Sequence, residues 1–101
     1  MKTIDIEPRD LAIVTKILIR HVPHRTVRAF GSRVSGTARR FSDLDLVVMG
    51  ERPLSLSAVS ALLEDFTESD LPFKVDVVDW ATTKEAFREI IEKEYVVVQN
   101  E

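Results

Sequence analysis

In the stretch GSRVSGTARRFSDLDL, residues 31–46, a Gly-Ser pair stands ten residues ahead of an Asp-x-Asp pair, with three arginines between them. Each component has a chemical use. Gly31 lacks a Cβ, so an anion can approach the main chain closely there. Ser32 offers a hydroxyl and, with the amides that follow it at the start of a helical turn, donors for phosphate oxygens. Asp43 and Asp45 alternate with Leu44 and Leu46, so on a strand the two acids share one face, their backbones roughly 6.5 to 7 Å apart. Side chains at that spacing can reach one or two magnesium ions, which prefer carboxylate oxygen. Neither half is diagnostic alone. Gly-Ser pairs are common in loops, and an acid pair can simply mark the solvated end of a strand. Their separation by a short basic loop is what suggests a site for a metal and a phosphate.

A third acid sharpens the reading. In KVDVVDW, residues 74–80, Asp76 interrupts an apolar run between Val75 and Val77. If the valines face a core, Asp76 faces away from it with Lys74 and Val78. Should this strand lie beside that of Asp43 and Asp45, three carboxylates meet on one sheet face. Such a set repels itself without a divalent cation, and with one it forms a two-metal phosphoryl-transfer arrangement. Asp79 has the opposite phase and reads as a cap or turn residue. The charge pattern agrees. No acid occurs from Leu11 to Ser42, while Lys16, Arg20, Arg25, Arg28, Arg33, Arg39 and Arg40 are basic, and acids dominate from Asp43 onward. A net charge of −3 disfavours sequence-independent nucleic-acid binding, which rests on neutralising many phosphates. A local basic segment ending in an acid pair suits a nucleoside triphosphate carried with its metal. Taken singly, each arginine can equally belong to a solvated face.

The elements that must hold these residues follow from period and punctuation. Pro8 suits a first helical turn, and Leu11, Val14, Ile17 and Leu18 recur near helical spacing, which predicts a helix over about residues 8–21, ended by Pro23. TVRAF reads as a strand closed by Gly31-Ser32, with Ser32 capping a short helical turn. DLDLVVM is a second strand, bounded by Gly50 and Pro53. A second helix starts at Ser55 or Ser57, with Leu56, Val59, Leu62, Leu63 and Phe66 as its buried stripe. FKVDVVDW is a third strand. Thr82 and Glu85 have capping-box spacing and open a last helix to about Lys93, and YVVV adds a final short strand. The order α-β-β-α-β-α with a terminal strand means a mixed sheet of three to four strands covered by helices, in the α+β class with α/β character. At 101 residues, 45% hydrophobic and 31% charged, this is one ordinary globular domain over residues 1–101. With no cysteine there is neither a disulfide framework nor a Cys-based zinc site. No signal peptide and no apolar run near the roughly 20 residues of a membrane span is visible, so a cytoplasmic location and no membrane partner are expected.

Gly-Ser, ten residues, Asp-x-Asp and a later lone Asp on a strand together resemble the signature of the polymerase-beta-type nucleotidyltransferase superfamily. The form GSRVSGTARRFSDLDLVVMG…VDVVDW is similar to its smallest branch, the minimal nucleotidyltransferases (MNT, or MntA-like, proteins), over about residues 27–80. The resemblance implies that Gly31 and Ser32 hold the triphosphate of ATP, that Asp43 and Asp45 bind two Mg2+ ions, and that Asp76 is the third carboxylate, contacting a metal and assisting deprotonation of an acceptor hydroxyl. Arg33 and Arg39 fall where relatives often carry arginine and are expected to touch phosphate. All three acids are in place. Larger superfamily members hold their acceptor with extra domains. This chain is therefore expected either to build its acceptor site as a homo-oligomer or to receive a docking protein. The branch implies the latter: an antitoxin that transfers AMP from ATP to a tyrosine of a HEPN-domain toxin. Two rivals are a nucleotidyltransferase for a small molecule and a non-catalytic antitoxin acting by binding alone.

Other conspicuous residues have plainer readings. His21 and His24 flank Pro23 without a third ligand and read as a helix-end pair rather than a zinc site. Trp80 reads as core or a partner contact, Tyr95 as packing, and Phe30 and Phe41 as anchors on either side of the loop.

Overall fold

The structure, a computed structural model, describes residues 3–100. Helix α1 spans Pro8–His21, with the proline in its first turn and Val14, Ile17 and Leu18 on its buried stripe. Strand β1 is Val27–Phe30, the short α2 is Ser32–Ser35, β2 is Leu44–Val48 and α3 is Leu56–Glu68. Strand β3 is Val75–Asp79, followed by a 3-10 turn over Trp80–Thr82, helix α4 at Glu85–Lys93 and strand β4 at Val96–Gln99. The four strands form one sheet in the order β3-β2-β1-β4. Strand β1 runs antiparallel to both β2 and β4, whereas β2 and β3, joined through α3, are parallel. The sheet is therefore mixed and the fold α+β, as the element order predicts.

The period-2 alternation of β2 divides its side chains between two cores. Leu44, Leu46 and Val48 join the main cluster with Val14, Leu18 and Leu62 of α1 and α3, all fully buried. Val47 points the other way, into a smaller cluster with Phe30 and Ile91 beneath α4. Each of these aliphatic side chains contributes about 1.5–3 kcal/mol by leaving water. On the α4 side, Ile91 and the edge-on contact of Phe87 with Phe30, at 5.8 Å between rings, seat the helix. Toward the N-terminal ends of β2 and β3 that same face is only half-buried, and there the acids lie.

Several expectations need correction. Leu56 is 84% exposed; α3 begins with it, one residue after the cap, so its side chain clears the core, and Leu62 and Phe66 form the buried stripe. Of the two serines expected to start that helix, Ser55 is the cap, as one of the alternatives had it, its side chain accepting from Ala58 N at 3.1 Å. The capping box of Thr82 and Glu85 does not form. Both Thr82, in the 3-10 turn, and Thr83, which caps it, donate their hydroxyls to Asp79 O, and α4 starts at Glu85 behind Lys84 with no side-chain cap. Phe41 is 64% exposed and anchors nothing in a core, whereas Phe30 is buried.

Candidate active site

The register of β2 and β3 decides where the acids stand. Leu44 pairs with Val75, so Asp45 lies directly beside Asp76 on the adjacent parallel strand, and both share the face opposite the main core. Asp43 lies two residues before Asp45 in the same phase, just ahead of the first ladder residue, and is exposed. Of the three carboxylates predicted for one face, the ladder places Asp45 and Asp76 on it, and Asp43 stands near enough for its charge to act on Asp45. At Asp45 burial pushes the carboxyl up from 3.8, and the charges of Asp76 and then Asp43 push it further. Asp76, 42% exposed, pairs with Lys74 Nζ at 3.3 Å. Asp79, of opposite phase, accepts from Leu54 N at 2.8 Å and Ala81 N at 3.2 Å, the cap role its phase implies.

Gly31 sits on the strand side of this cluster. Phe30 pairs with Asp45 across β1 and β2, which brings the next residue against the Asp45 carboxylate. A Cβ on Gly31 would overlap Asp45 Oδ2, and its φ of +78° is one that side chains rarely adopt. As the N-cap of α2, glycine also leaves the first turn without a side-chain cap. Ser32 follows on the wall of a groove of about 370 Å³, with Phe30, Gly31, Ser35 and Thr37 on one side and Phe87, Ile90 and Glu94 of α4 and its end on the other.

The two arginines part company. Arg39 is exposed on the loop rim, its main-chain N–H donating to Ser42 Oγ at 2.8 Å. Arg33 is 6% exposed and does not face that groove. Its guanidinium donates to the main-chain carbonyls of Asp5, Arg40 and Ser42 and stacks on the Phe73 ring at 4.1 Å. The expected phosphate contact through Arg33 is thereby corrected: four of its five N–H donors are committed to carbonyls inside the protein, and the side chain is buried away from the groove.

A sequence model of the family described as polymerase beta, nucleotidyltransferase matches residues 11–101. The chain belongs to this nucleotidyltransferase family. It is 57% identical over 96 residues to a probable protein adenylyltransferase MntA of Haemophilus influenzae, covering 95% of this chain and 84% of that protein. Its fold is similar to that of a solved toxin–antitoxin with AMP-PNP, with a TM-score of 0.75 at 24% identity over 90% of this chain and 73% of the other. It is also similar to a solved complex of a tri-AMPylated Shewanella oneidensis HEPN toxin with an MNT antitoxin, with a TM-score of 0.70 at 18% identity over 95% and 74%. At those identities the two structures attest the shared fold.

For a nucleotidyltransferase the donor chemistry is apt. The convergent groups are all carboxylate oxygens, the set that magnesium prefers, and His21 is elsewhere, bonded through Nε2 to Asp65 at 2.8 Å. Among the described residues no three such side chains already close on a single metal position. The direct pairing of Asp45 with Asp76 on adjacent strands is the more telling observation, because it sets two carboxylates side by side on one face, where a divalent cation would relieve their repulsion. The groove also has lining residues that sequence reasoning passed over. Ser35 and Thr37 line the groove beside Ser32, their hydroxyls 2.9 Å apart, and the hydroxyl-rich SGT turn after Arg33 was the available signal. Arg28 turns inward instead of joining a solvated basic face, lying 4.1 Å from the Tyr95 ring and 3.2 Å from Glu92 Oε1. That contact confirms Tyr95 as a packing residue. Trp80 packs against the smaller core and holds Arg88 through its carbonyl. Among the described residues no helix is long and apolar enough to cross a membrane.

Proposed function

We propose that this chain is a magnesium-dependent protein adenylyltransferase that moves AMP from ATP to a tyrosine of a HEPN-domain toxin, acting as the antitoxin of that pair in the cytoplasm. The observation that carries the chemistry is the pairing of Asp45 with Asp76 beside the side-chain-free Gly31. Support for a protein acceptor comes from the 57% identity to the adenylyltransferase MntA.

The residues present fit a pair of magnesium ions held by Asp43, Asp45 and Asp76. Bound there, magnesium neutralises the triphosphate and the departing pyrophosphate. The chain's own groups supply the rest. Gly31 leaves room for the triphosphate against the main chain, and Ser32 Oγ donates to a phosphate oxygen. Arg39, free to swing at the loop rim, adds a guanidinium to the phosphates. Asp76 accepts the proton of the acceptor tyrosine as its oxygen bonds to the α-phosphorus, and the bond from that phosphorus to the β-phosphate oxygen breaks in line. The half-open face above Asp76 gives a bulky acceptor access, as a protein substrate requires.

Intact mass of the HEPN-type partner, after incubation with this chain, ATP and magnesium, tests the reading. Whole AMP increments are expected, and they should vanish with Asp43→Asn combined with Asp45→Asn. An unmodified partner that still co-purifies with the chain would instead overturn the enzymatic antitoxin reading.

A further inference from the structure

Asp43 has an unusual position for a residue expected to carry metal. It precedes β2, whose ladder to β3 begins with Leu44 N–H donating to Lys74 O at 2.9 Å, so the sheet holds the chain only on the C-terminal side of Asp43. On the other side stands Ser42, whose carbonyl belongs to the peptide unit joined to Asp43. That carbonyl accepts from both Nε and Nη2 of Arg33, at 3.0 and 2.8 Å. Nη2 also donates to Arg40 O at 3.1 Å, and Nη1 to Asp5 O at 2.9 Å. The guanidinium plane lies 4.1 Å from the buried Phe73 ring, on the segment that leads into β3. One planar cation thus ties the loop before Asp43, the N-terminal segment and the entry to the Asp76 strand.

Such a cation, 6% exposed and with four of its five N–H donors given to carbonyls, is costly to bury and is held inside the protein rather than turned to the groove. We propose that Arg33 is a positioning residue for Asp43: it fixes the Ser42–Asp43 peptide so that the Asp43 carboxylate stands with Asp45 and Asp76. The proposal rests on the reading of these acids as a metal site. Groups that orient metal-bearing carboxylates typically matter by about 10–100-fold in metal affinity or activity. Lysine would keep the charge but not the fork.

The test uses the whole chain and Mn2+ as the probe, followed by electron paramagnetic resonance, with affinity for a non-hydrolysable ATP analogue measured at saturating metal. Arg33→Met should weaken Mn2+ binding about tenfold or more, and leave the analogue affinity within about twofold. AMP transfer should become dependent on higher magnesium and recover when magnesium is raised. Arg33→Lys should restore part of the metal affinity. Phe73→Leu, which leaves the hydrogen-bonding groups in place, should weaken it by a smaller factor and decides the matter together with Arg33→Lys if the methionine variant does not fold. Loss of analogue affinity with Mn2+ binding intact would overturn the proposal in favour of a phosphate contact. A fall in Tm with both affinities intact would reduce Arg33 to a fold-stabilising residue. A wild-type chain that binds no Mn2+ would overturn the carboxylate-site reading as well, whereas unchanged binding in the variants would overturn only the role of Arg33.

Discussion

At Asp45, burial comes first and the charges of Asp76 and Asp43 add to it, so the carboxyl keeps its proton to higher pH in the folded chain than in the unfolded one. The folded chain then binds more protons than the unfolded chain between 3.8 and the raised value. Stability falls as pH rises through that window, and the cost persists at neutral pH without metal. Asp45→Asn should therefore raise the Tm of the metal-free protein by a few degrees at pH 7, while AMP transfer falls by more than about a hundredfold. The stability gain should disappear below about pH 3.8, where both states of wild type are protonated. Thermal melts in EDTA at several pH values measure this directly, and a destabilised variant at pH 7 would contradict it. Gly31 makes the complementary case. Gly31→Ala must adopt a φ near +78° and push a methyl into Asp45 Oδ2. Urea unfolding should show a loss of about 1–2 kcal/mol from the backbone strain, with activity reduced by the displaced carboxylate.

At the scale of elements, α1 and α3 are locked at the molecular surface by Asp65, whose Oδ2 receives His21 Nε2 and Arg20 Nη1, both at 2.8 Å. The hydrogen bond from His21 is the main cause that holds the Asp65 carboxyl below 3.8. This contribution is present above 3.8 and lost as pH falls through the lowered value. Asp65→Asn should lower the Tm by a few degrees at most at pH 7, a difference that shrinks in acid, because the contact lies at the surface and Arg20, one of its two partners, is exposed. What was legible in the sequence divides along the same line. Helix α1 matched its expected bounds because proline, an apolar period and a second proline mark it locally. The phase of Asp76 was legible because Val75 and Val77 flank it. The adjacency of β2 and β3 was conditional, since a parallel pairing made through α3 is a nonlocal choice that local pattern does not encode. The capping box failed because Asp79 competes for both threonines, and Arg33 was misjudged because a phosphate ligand and a buried clamp use the same residue type. Burial alone separates them, and burial is a property of the assembled fold.

For the whole molecule, the site consists of strand ends at one edge of a small sheet, with α1 and α3 packed on the opposite face and α4 leaving the acid end half-open. A domain of about 100 residues commands only about 5–15 kcal/mol of net stability, so three carboxylates on one face are a measurable load. Whatever relieves that load in the folded state alone stabilises the fold by mass action, by about 2.7 kcal/mol at a free concentration one hundred times its dissociation constant. Magnesium should accordingly raise the Tm by roughly 10 °C or more over EDTA when it is near saturation, since 1 kcal/mol corresponds to about 4–8 °C at this size. The chain carrying Asp43→Asn and Asp45→Asn should begin at a higher Tm in EDTA and show little magnesium shift. Paired melts of the two proteins across a magnesium titration distinguish the outcomes. An equal shift in both would place the ion away from the strand ends, and no shift in wild type would, like an absence of Mn2+ binding, overturn the reading of the three carboxylates as a metal site.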